Sequence, residues 1–209
     1  MDKCITTTYH QQQTRIDVGA GLGSGVAQST ENMRPPEQLD TTRLLLRRPL
    51  LTDAHEIYER YATDSEVTRF LVWRPHNSFK DTESFLERCV EVWDGGSAFP
   101  WILTLKESKF VIGMAELRID GNKADVGYVL SRPFWGQGYM TEALRSIVEW
   151  GINQSSIYRV WAVCDIENKA SARVLEKVGM RLEGILKRWI VCPNMSDEPR
   201  DSLCYAITK

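Results

Sequence analysis

The sequence lacks several features, and each absence narrows what the chain does. No run of eighteen apolar residues occurs, so no segment suits a membrane-spanning helix. The opening MDKCITTTYHQQQTRID has no apolar core of the kind a secretory signal carries. There is no basic excess: 26 Lys and Arg stand against 28 Asp and Glu, a net charge of −2. Proteins that bind duplexes by neutralising phosphates show such an excess, so nucleic acid is not an expected partner. Histidine is scarce, with three residues, and Cys4, Cys89, Cys164, Cys192 and Cys204 form no CxxC pair. No metal site is expected from that set. Scattered cysteines, odd in number, read as reduced thiols in a cytoplasmic protein.

What remains is globular material. The 209 residues are 43% hydrophobic and 26% charged. A chain of this size buries roughly 70% of its surface on folding, enough for a hydrophobic core without staples. Residues 1–40 differ from the rest. They carry QQQ, GAGLGSG and Pro35-Pro36, with sparse apolar residues and no period. They read as a flexible extension ahead of one domain, 41–209.

From Thr41 the apolar pattern predicts strands at 41–46, 99–105, 110–119, 124–130, 158–164, 180–191 and 203–208. Helices are expected at 53–63, 64–70, 81–93, 139–150 and 169–178, the fourth ending at Gly151. Thr52 or Asp53 can cap the first of these, and Asn168 caps the last. The order implies an α+β domain: a mixed sheet packed against helices, with 124–164 forming a crossover between parallel strands.

Two glycine clusters invite a phosphate-binding reading. Gly19-Ala-Gly21-Leu-Gly23-Ser-Gly25 has neither the right spacing nor a strand and helix around it, and reads as linker. Trp135-Gly136-Gln137-Gly138-Tyr139-Met140-Thr141 lies between an alternating strand and an amphipathic helix. Glycine lets a backbone turn tightly and approach a ligand, and the first helical turn offers unpaired amides with the positive dipole end. The cluster is either a pyrophosphate cradle or an ordinary strand–helix loop.

These residues resemble the pyrophosphate motif of the GNAT superfamily of N-acetyltransferases, Q/R-x-x-G-x-G/A. Gly138 is kept, Trp135 stands for the Gln/Arg, and Met140 for the last Gly/Ala. More specific are Asp125-Val-Gly-Tyr-Val-Leu130 before the motif, Thr141-Glu-Ala143 after it, and Asn168-Lys-Ala-Ser171 through Glu176-Lys-Val-Gly-Met180. With Thr42-Arg-Leu-Leu-Leu-Arg47, they resemble the branch holding the ribosomal-protein N-terminal alanine and serine acetyltransferases. The resemblance implies the GNAT fold, a mixed sheet splayed into a V and flanked by helices.

The resemblance also implies acetyl-CoA as co-substrate. Its pantetheine would pair with the strand at Tyr128, Val129 and Leu130, and its pyrophosphate would rest on the amides of Gly136–Thr141. Asn168 would contact pantetheine, cap its helix, or do both. Many family members carry a proton-donating Tyr where this chain has Leu175, and the branch uses a Ser instead, here Ser171. That Ser equally suits a helix-start partner of Asn168. Glu116, in an apolar strand on the face of Ile112 and Met114, and Glu183 are the candidate bases. Arg118 offers Glu116 a structural partner instead. Trp73, Trp93, Trp101 and Trp189 suit either a substrate slot or core packing. Arg132, Arg145, Arg173 and Lys177 suit either the CoA 3′-phosphate or a solvated surface.

The expected activity is acetyl transfer to a primary amine, foremost a protein or peptide N-terminus. The alternatives are a small-molecule amine, antibiotics included, and a non-catalytic acyl-CoA-binding module. The expected assembly is a monomer or homodimer.

Overall fold

The structure is a computed structural model and describes residues 33–209. The Gly19–Gly25 linker and most of the expected extension lie outside the described residues. Eight strands form one sheet: β1 (Gln38–Asp40), β2 (Leu44–Arg47), β3 (Ala98–Leu105), β4 (Val111–Asp120), β5 (Lys123–Leu130), β6 (Arg159–Asp165), β7 (Arg181–Ile190) and β8 (Arg200–Thr208), in the order β1-β2-β3-β4-β5-β6-β8-β7. Only β5 and β6 run parallel, so the sheet is mixed as the sequence predicts.

A helical run opens with a 3-10 turn (Leu51–Asp53), continues as α1 (Ala54–Ile57) and closes as a π turn (Tyr58–Ala62). Then come α2 (Ser65–Thr68), α3 (Phe79–Gly95), α4 (Tyr139–Asn153) and α5 (Lys169–Val178). Asp53 does not cap its helix. It accepts Leu50 N at 2.8 Å and a two-toothed bond from Arg47. Ser78 starts α3 with a reciprocal capping box on Asp81, ahead of the expected Asp81 start. Gly151 does not end α4, which runs on to Asn153. Gly151 packs there against Val160 and Leu117, a close approach that overrides its weak helix propensity.

The first strand lies earlier than expected. Gln38–Asp40 pairs antiparallel with β2, and ordered contacts begin ahead of Thr41. Arg34 donates to the carbonyls of Trp93 and Asp94 at the C-terminus of α3, where a cation is favoured. The indole of the fully buried Trp101 donates to Pro36 O at 3.1 Å. Arg34, Pro36 and Gln38–Asp40 thus make contacts with the sheet and α3, although Pro35-Pro36 and the polar flanks give this short strand no apolar signal.

The sheet is covered on both faces. One core gathers Leu44, Trp101, Leu103, Leu144, Ile147 and Leu175 beneath α4 and α5. The other gathers Ile57, Tyr61, Leu86, Ile102 and Met114 beneath α1–α3. A bulge decides which β4 residues face which layer. Leu103 pairs with Gly113 and Thr104 with Val111, so Ile112 is the extra residue. Ile112 therefore joins the first core, while Met114 stays in the second. The sequence expectation that Ile112, Met114 and Glu116 share one face fails for Ile112 on this account.

Candidate active site

The site is a consequence of where β5 and β6 part. They pair only at Lys123–Arg159, Ala124–Val160 and Asp125–Trp161. Beyond those rungs, the β5 edge from Val126 to Leu130 and the start of the β6 tip lack each other. The sheet opens as a V, and the gap joins the two covered faces.

Two chambers fill the gap. The larger, about 590 Å³, is lined by Leu130, Trp135, Gly136, Gly138–Thr141 and Arg173 among others. That size lies within the range of small-molecule sites. The smaller, about 180 Å³, is lined by Trp73, Glu116, Arg118, Asp125, Trp161 and Cys164 among others. Both chambers share Phe70, Leu71, Tyr128, Val129, Asn168 and Ser171. Those six residues form the passage between them.

The larger chamber ends on a backbone cradle. Gly136 and Gly138 have φ of +74° and +81°, left-handed values that side chains resist. Gly138 is the N-cap of α4, and no side chain caps that helix. Its first-turn amides are therefore available to an anion together with the helix dipole. Trp135 donates its indole N–H to Leu130 O at 2.7 Å, tying the loop to the end of β5. Gln137 turns its amide to Pro133 O and does not line the chamber, so it contributes only backbone. Met140 points into the core. Tyr139 lies under the Arg43 guanidinium, 4.2 Å from Cζ to the ring centroid. Arg173 and Lys177 line this chamber, whereas Arg145 is spent on Lys177 O and Arg132 on Asp64.

The passage brings Asn168, Ser171 and Tyr128 together. Asn168 caps α5 by accepting Ser171 N at 3.1 Å, and it also lines both chambers. Asp165, buried at the end of β6, holds the turn that leads into α5 by accepting from Arg200 and Glu167 N. The Ser171 hydroxyl lies 2.6 Å from the Tyr128 phenol. Burial raises the Tyr128 pKa well above its ordinary value, so the phenol stays protonated. Leu175 is fully buried in the core, consistent with its having no polar task.

The two carboxylate candidates part company. Glu116 lines the smaller chamber. Burial raises its pKa, opposed by Arg118 and reinforced by Asp125. Arg118 reaches Glu116 at 3.3 Å but is bound mainly by Asp125, its register partner across β4 and β5, with Nε at 2.7 Å. Glu183 does not reach the cleft. It is the extra residue of a bulge between Leu182 and Gly184 on β7, and it is paired to Arg159 at the closed end of the V. The Arg159 hydrogen bond lowers its pKa, which is the wrong direction for a base acting near neutrality.

Of the tryptophans, Trp93 and Trp101 are core, packed edge to face 5.3 Å apart, and Trp73 lines the smaller chamber. Trp161, Cys164 and Asp125 line the smaller chamber too, and sequence reasoning missed them. Asp125 and Trp161 form the last parallel rung and Cys164 lies three residues beyond it, a placement no local sequence pattern marks. The described residues hold no group of three or more His, Cys, Asp or Glu placed for a metal ion. No helix among them is long and apolar enough to cross a membrane.

Comparison with known proteins agrees with this geometry. The family described as Acetyltransferase (GNAT) domain matches residues 43–181. An uncharacterized N-acetyltransferase of Bacillus subtilis (strain 168), YnaD, is 31% identical over 173 residues, covering 81% of this chain and 95% of its own. The [Ribosomal protein uS5]-alanine N-acetyltransferase of Escherichia coli (strain K12) is 26% identical over 183 residues, covering 83% and 92%. The crystal structure of the microcin C7 self-immunity acetyltransferase MccE, in complex with acetyl-CoA and AMP, superposes with a TM-score of 0.75 at 23% identity, covering 84% and 98%.

Proposed function

The chain belongs to the GNAT acetyltransferase family and is an acyl-CoA-dependent N-acetyltransferase, and from that premise we propose that it acetylates the α-amine of a protein or peptide N-terminus. One observation carries the reading: two chambers of different chemistry meet at Tyr128, Asn168 and Ser171. The glycine cradle and basic flank of the larger chamber suit the pyrophosphate and 3′-phosphate of acetyl-CoA. The carboxylates and indoles of the smaller chamber suit an ammonium and a short side chain. Similarity to an alanine N-acetyltransferase over 83% of the chain supports a peptide acceptor.

In this reading Glu116 removes a proton from the incoming ammonium, through water, and frees the nitrogen lone pair. A C–N bond forms at the thioester carbon and the C–S bond breaks as the intermediate collapses. Ser171 donates a hydrogen bond to the departing sulfur and passes it a proton. The ammonium gives up two protons in all: the first goes through Glu116 to water before attack, and the second leaves the attacking nitrogen after the C–N bond forms. That second proton, relayed through water, restores Ser171, so the products are the amide, the CoA thiol and one proton released to solvent. The amides from Gly136 to Thr141 and the edge at Tyr128, Val129 and Leu130 hold the donor, and Trp135 and Asn168 frame it. The reading extends to a monomer or homodimer in the cytoplasm, a compartment supported by the buried thiols of Cys164, Cys192 and Cys204.

The test is thiol release from acetyl-CoA across peptides with varied first residues, the same peptides blocked at the N-terminus, polyamines and small amines. Turnover with free peptides that blocking abolishes is expected. Turnover confined to small amines would overturn the acceptor assignment. Acyl-CoA binding without turnover on any acceptor would leave a binding module. Ser171→Ala should lower kcat by roughly 10- to 1000-fold with little change in acetyl-CoA affinity. Full turnover with a lowered melting temperature would make Ser171 a helix-start residue only.

A further inference from the structure

We infer that Tyr128 is a positioning residue for the acetyl transfer: its phenol fixes the Ser171 hydroxyl so that the serine proton faces the passage between the two chambers. The inference rests on the assignment of Ser171 as the hydrogen-bond donor to sulfur.

Tyr128 lies three residues past the last β5–β6 rung, on the strand face shared with Ala124 and Val126. Its side chain is directed beneath α5, and its hydroxyl has two acceptors in reach, both on Ser171: Oγ at 2.6 Å and the carbonyl oxygen at 3.3 Å. A phenol has one proton to give, and the shorter contact is the stronger claim on it. Burial keeps the phenol neutral, so its proton is there to donate at every pH the protein meets. With the phenol donating into Ser171 Oγ, the serine proton must point elsewhere.

The other partners of Ser171 narrow where. Its backbone N–H is already taken by Asn168 Oδ1. The neighbouring Cys164 thiol, with its pKa pushed up to about 11 by burial, stays protonated and is a weak acceptor. A serine that only starts a helix needs none of this. Its hydroxyl is free to rotate, and a phenylalanine at 128 would fill the same core space. The phenol oxygen therefore adds direction to the serine hydroxyl. In the free state of such a rotor, orienting one hydrogen bond is worth a modest factor in rate, since the bond must be made at the moment the C–S bond breaks.

The experiment is a double-mutant cycle of Tyr128→Phe, Ser171→Ala and the pair. It reads kcat at saturating acceptor, acetyl-CoA dissociation constant by calorimetry, and melting temperature. Tyr128→Phe is expected to lower kcat by about 5- to 50-fold, one hydrogen bond's worth, with acetyl-CoA affinity within about two-fold. In the Ser171→Ala background, the same change should alter kcat by less than about two-fold, because its target is gone. An equal loss in both backgrounds would show that Tyr128 acts without Ser171 and overturn the inference. So would an unchanged kcat in Tyr128→Phe beside a slowed Ser171→Ala. If Ser171→Ala alone keeps full turnover, the serine assignment itself has failed, a result visible without any Tyr128 variant. Should Tyr128→Phe fold poorly, Tyr128→Trp or Tyr128→Leu with intact melting temperature gives the same comparison.

Discussion

Arg43 and Glu142 are joined through main chain and side chain alike: Arg43 N donates to Glu142 Oε1 and Arg43 Nε to Glu142 Oε2, each at 2.7 Å. Thr41 Oγ donates to the same carboxylate at 2.7 Å. Arg43 Nη1 then reaches Gln137 O at 3.0 Å, and its plane covers Tyr139. The start of β2 therefore clamps the glycine loop and turns the Glu142 carboxylate away from the amides that would meet an anion. Breaking the clamp should loosen that loop while sparing the core. Arg43→Ala is expected to weaken acetyl-CoA binding by about 3- to 30-fold, with a melting-temperature loss of a few degrees, since the pair is partly exposed. Calorimetry with CoA checks it, and unchanged affinity would reduce the clamp to a surface ion pair.

The same carboxylate gives a pH dependence. Burial raises the Glu142 pKa, but hydrogen bonds from Thr41, Arg43 N and the Arg43 guanidinium together lower it below 4.5. A depressed folded pKa contributes stability above the unfolded value, lost as pH falls through the folded one. The melting temperature of the natural protein should exceed that of Glu142→Gln near pH 7. The gap should close as the pH falls below the ordinary glutamate range. A constant gap down to pH 3 would assign the effect to shape.

Gly136 and Gly138 share a left-handed backbone but differ in surroundings. A Cβ at Gly136 meets nothing within 4 Å, whereas one at Gly138 comes 3.5 Å from Arg43 Nη2. Both alanine variants carry the αL penalty, roughly 1–2 kcal/mol. The Gly138 variant also puts its Cβ in contact with the clamp arginine and alters the residue that starts α4. It should lose more acetyl-CoA affinity than Gly136→Ala, by about three-fold or more. Equal losses would separate the clamp from the cradle.

Much of this was legible in the sequence. The apolar alternation of 124–130, the amphipathic 139–150 stretch and the Asn168 cap predict their elements, and Gly138 marks the loop, because each signal is local. What was not legible depends on register. Ile112 looks plausible on period-two counting but changes face through a bulge, which resets that count. Glu183, a candidate on resemblance alone, sits at a bulge on β7 and pairs with Arg159 instead of reaching the cleft. The Tyr128–Ser171 contact spans 43 positions and two elements, so no local pattern encodes it. Arg34 and Pro36 were lost to a composition argument, since a capping arginine and a single carbonyl leave no apolar signature.

The contacts of those two residues predict where a stable truncation can begin. A chain beginning at Met33 should melt within a few degrees of the full chain. One beginning at Thr41 loses β1, the arginine on the end of α3 and the acceptor of the buried Trp101 indole. An orphaned buried donor alone costs about 1–3 kcal/mol. Together the losses should lower the melting temperature by roughly 5–15 °C, at 2–4 °C per kcal/mol for this size. Thermal denaturation of the two truncations decides it. Equal melting temperatures would move the boundary back to Thr41.

The last prediction separates Glu116 from Glu183. Burial holds the Glu116 pKa above its ordinary 4.5, with Asp125 adding to the rise and Arg118 opposing it. A general base must be ionised, so kcat/KM should fall on the acid side through a limb set by that raised pKa. The acceptor amine adds a second limb. Peptides whose amines differ in pKa will move the amine limb and leave the Glu116 limb in place. Glu116→Gln should abolish the fixed limb and lower kcat/KM by roughly 100- to 10,000-fold. Stability should run the other way. A raised folded pKa contributes stability below the unfolded value and loses it as pH rises through the folded one, so Glu116→Gln should be no less stable at pH 7 than the natural protein. Glu183 is exposed on β7 and paired to Arg159 away from the cleft. Glu183→Gln should keep turnover within about two-fold, with a small change in melting temperature. A fixed limb that survives in Glu116→Gln and vanishes in Glu183→Gln would reverse the assignment.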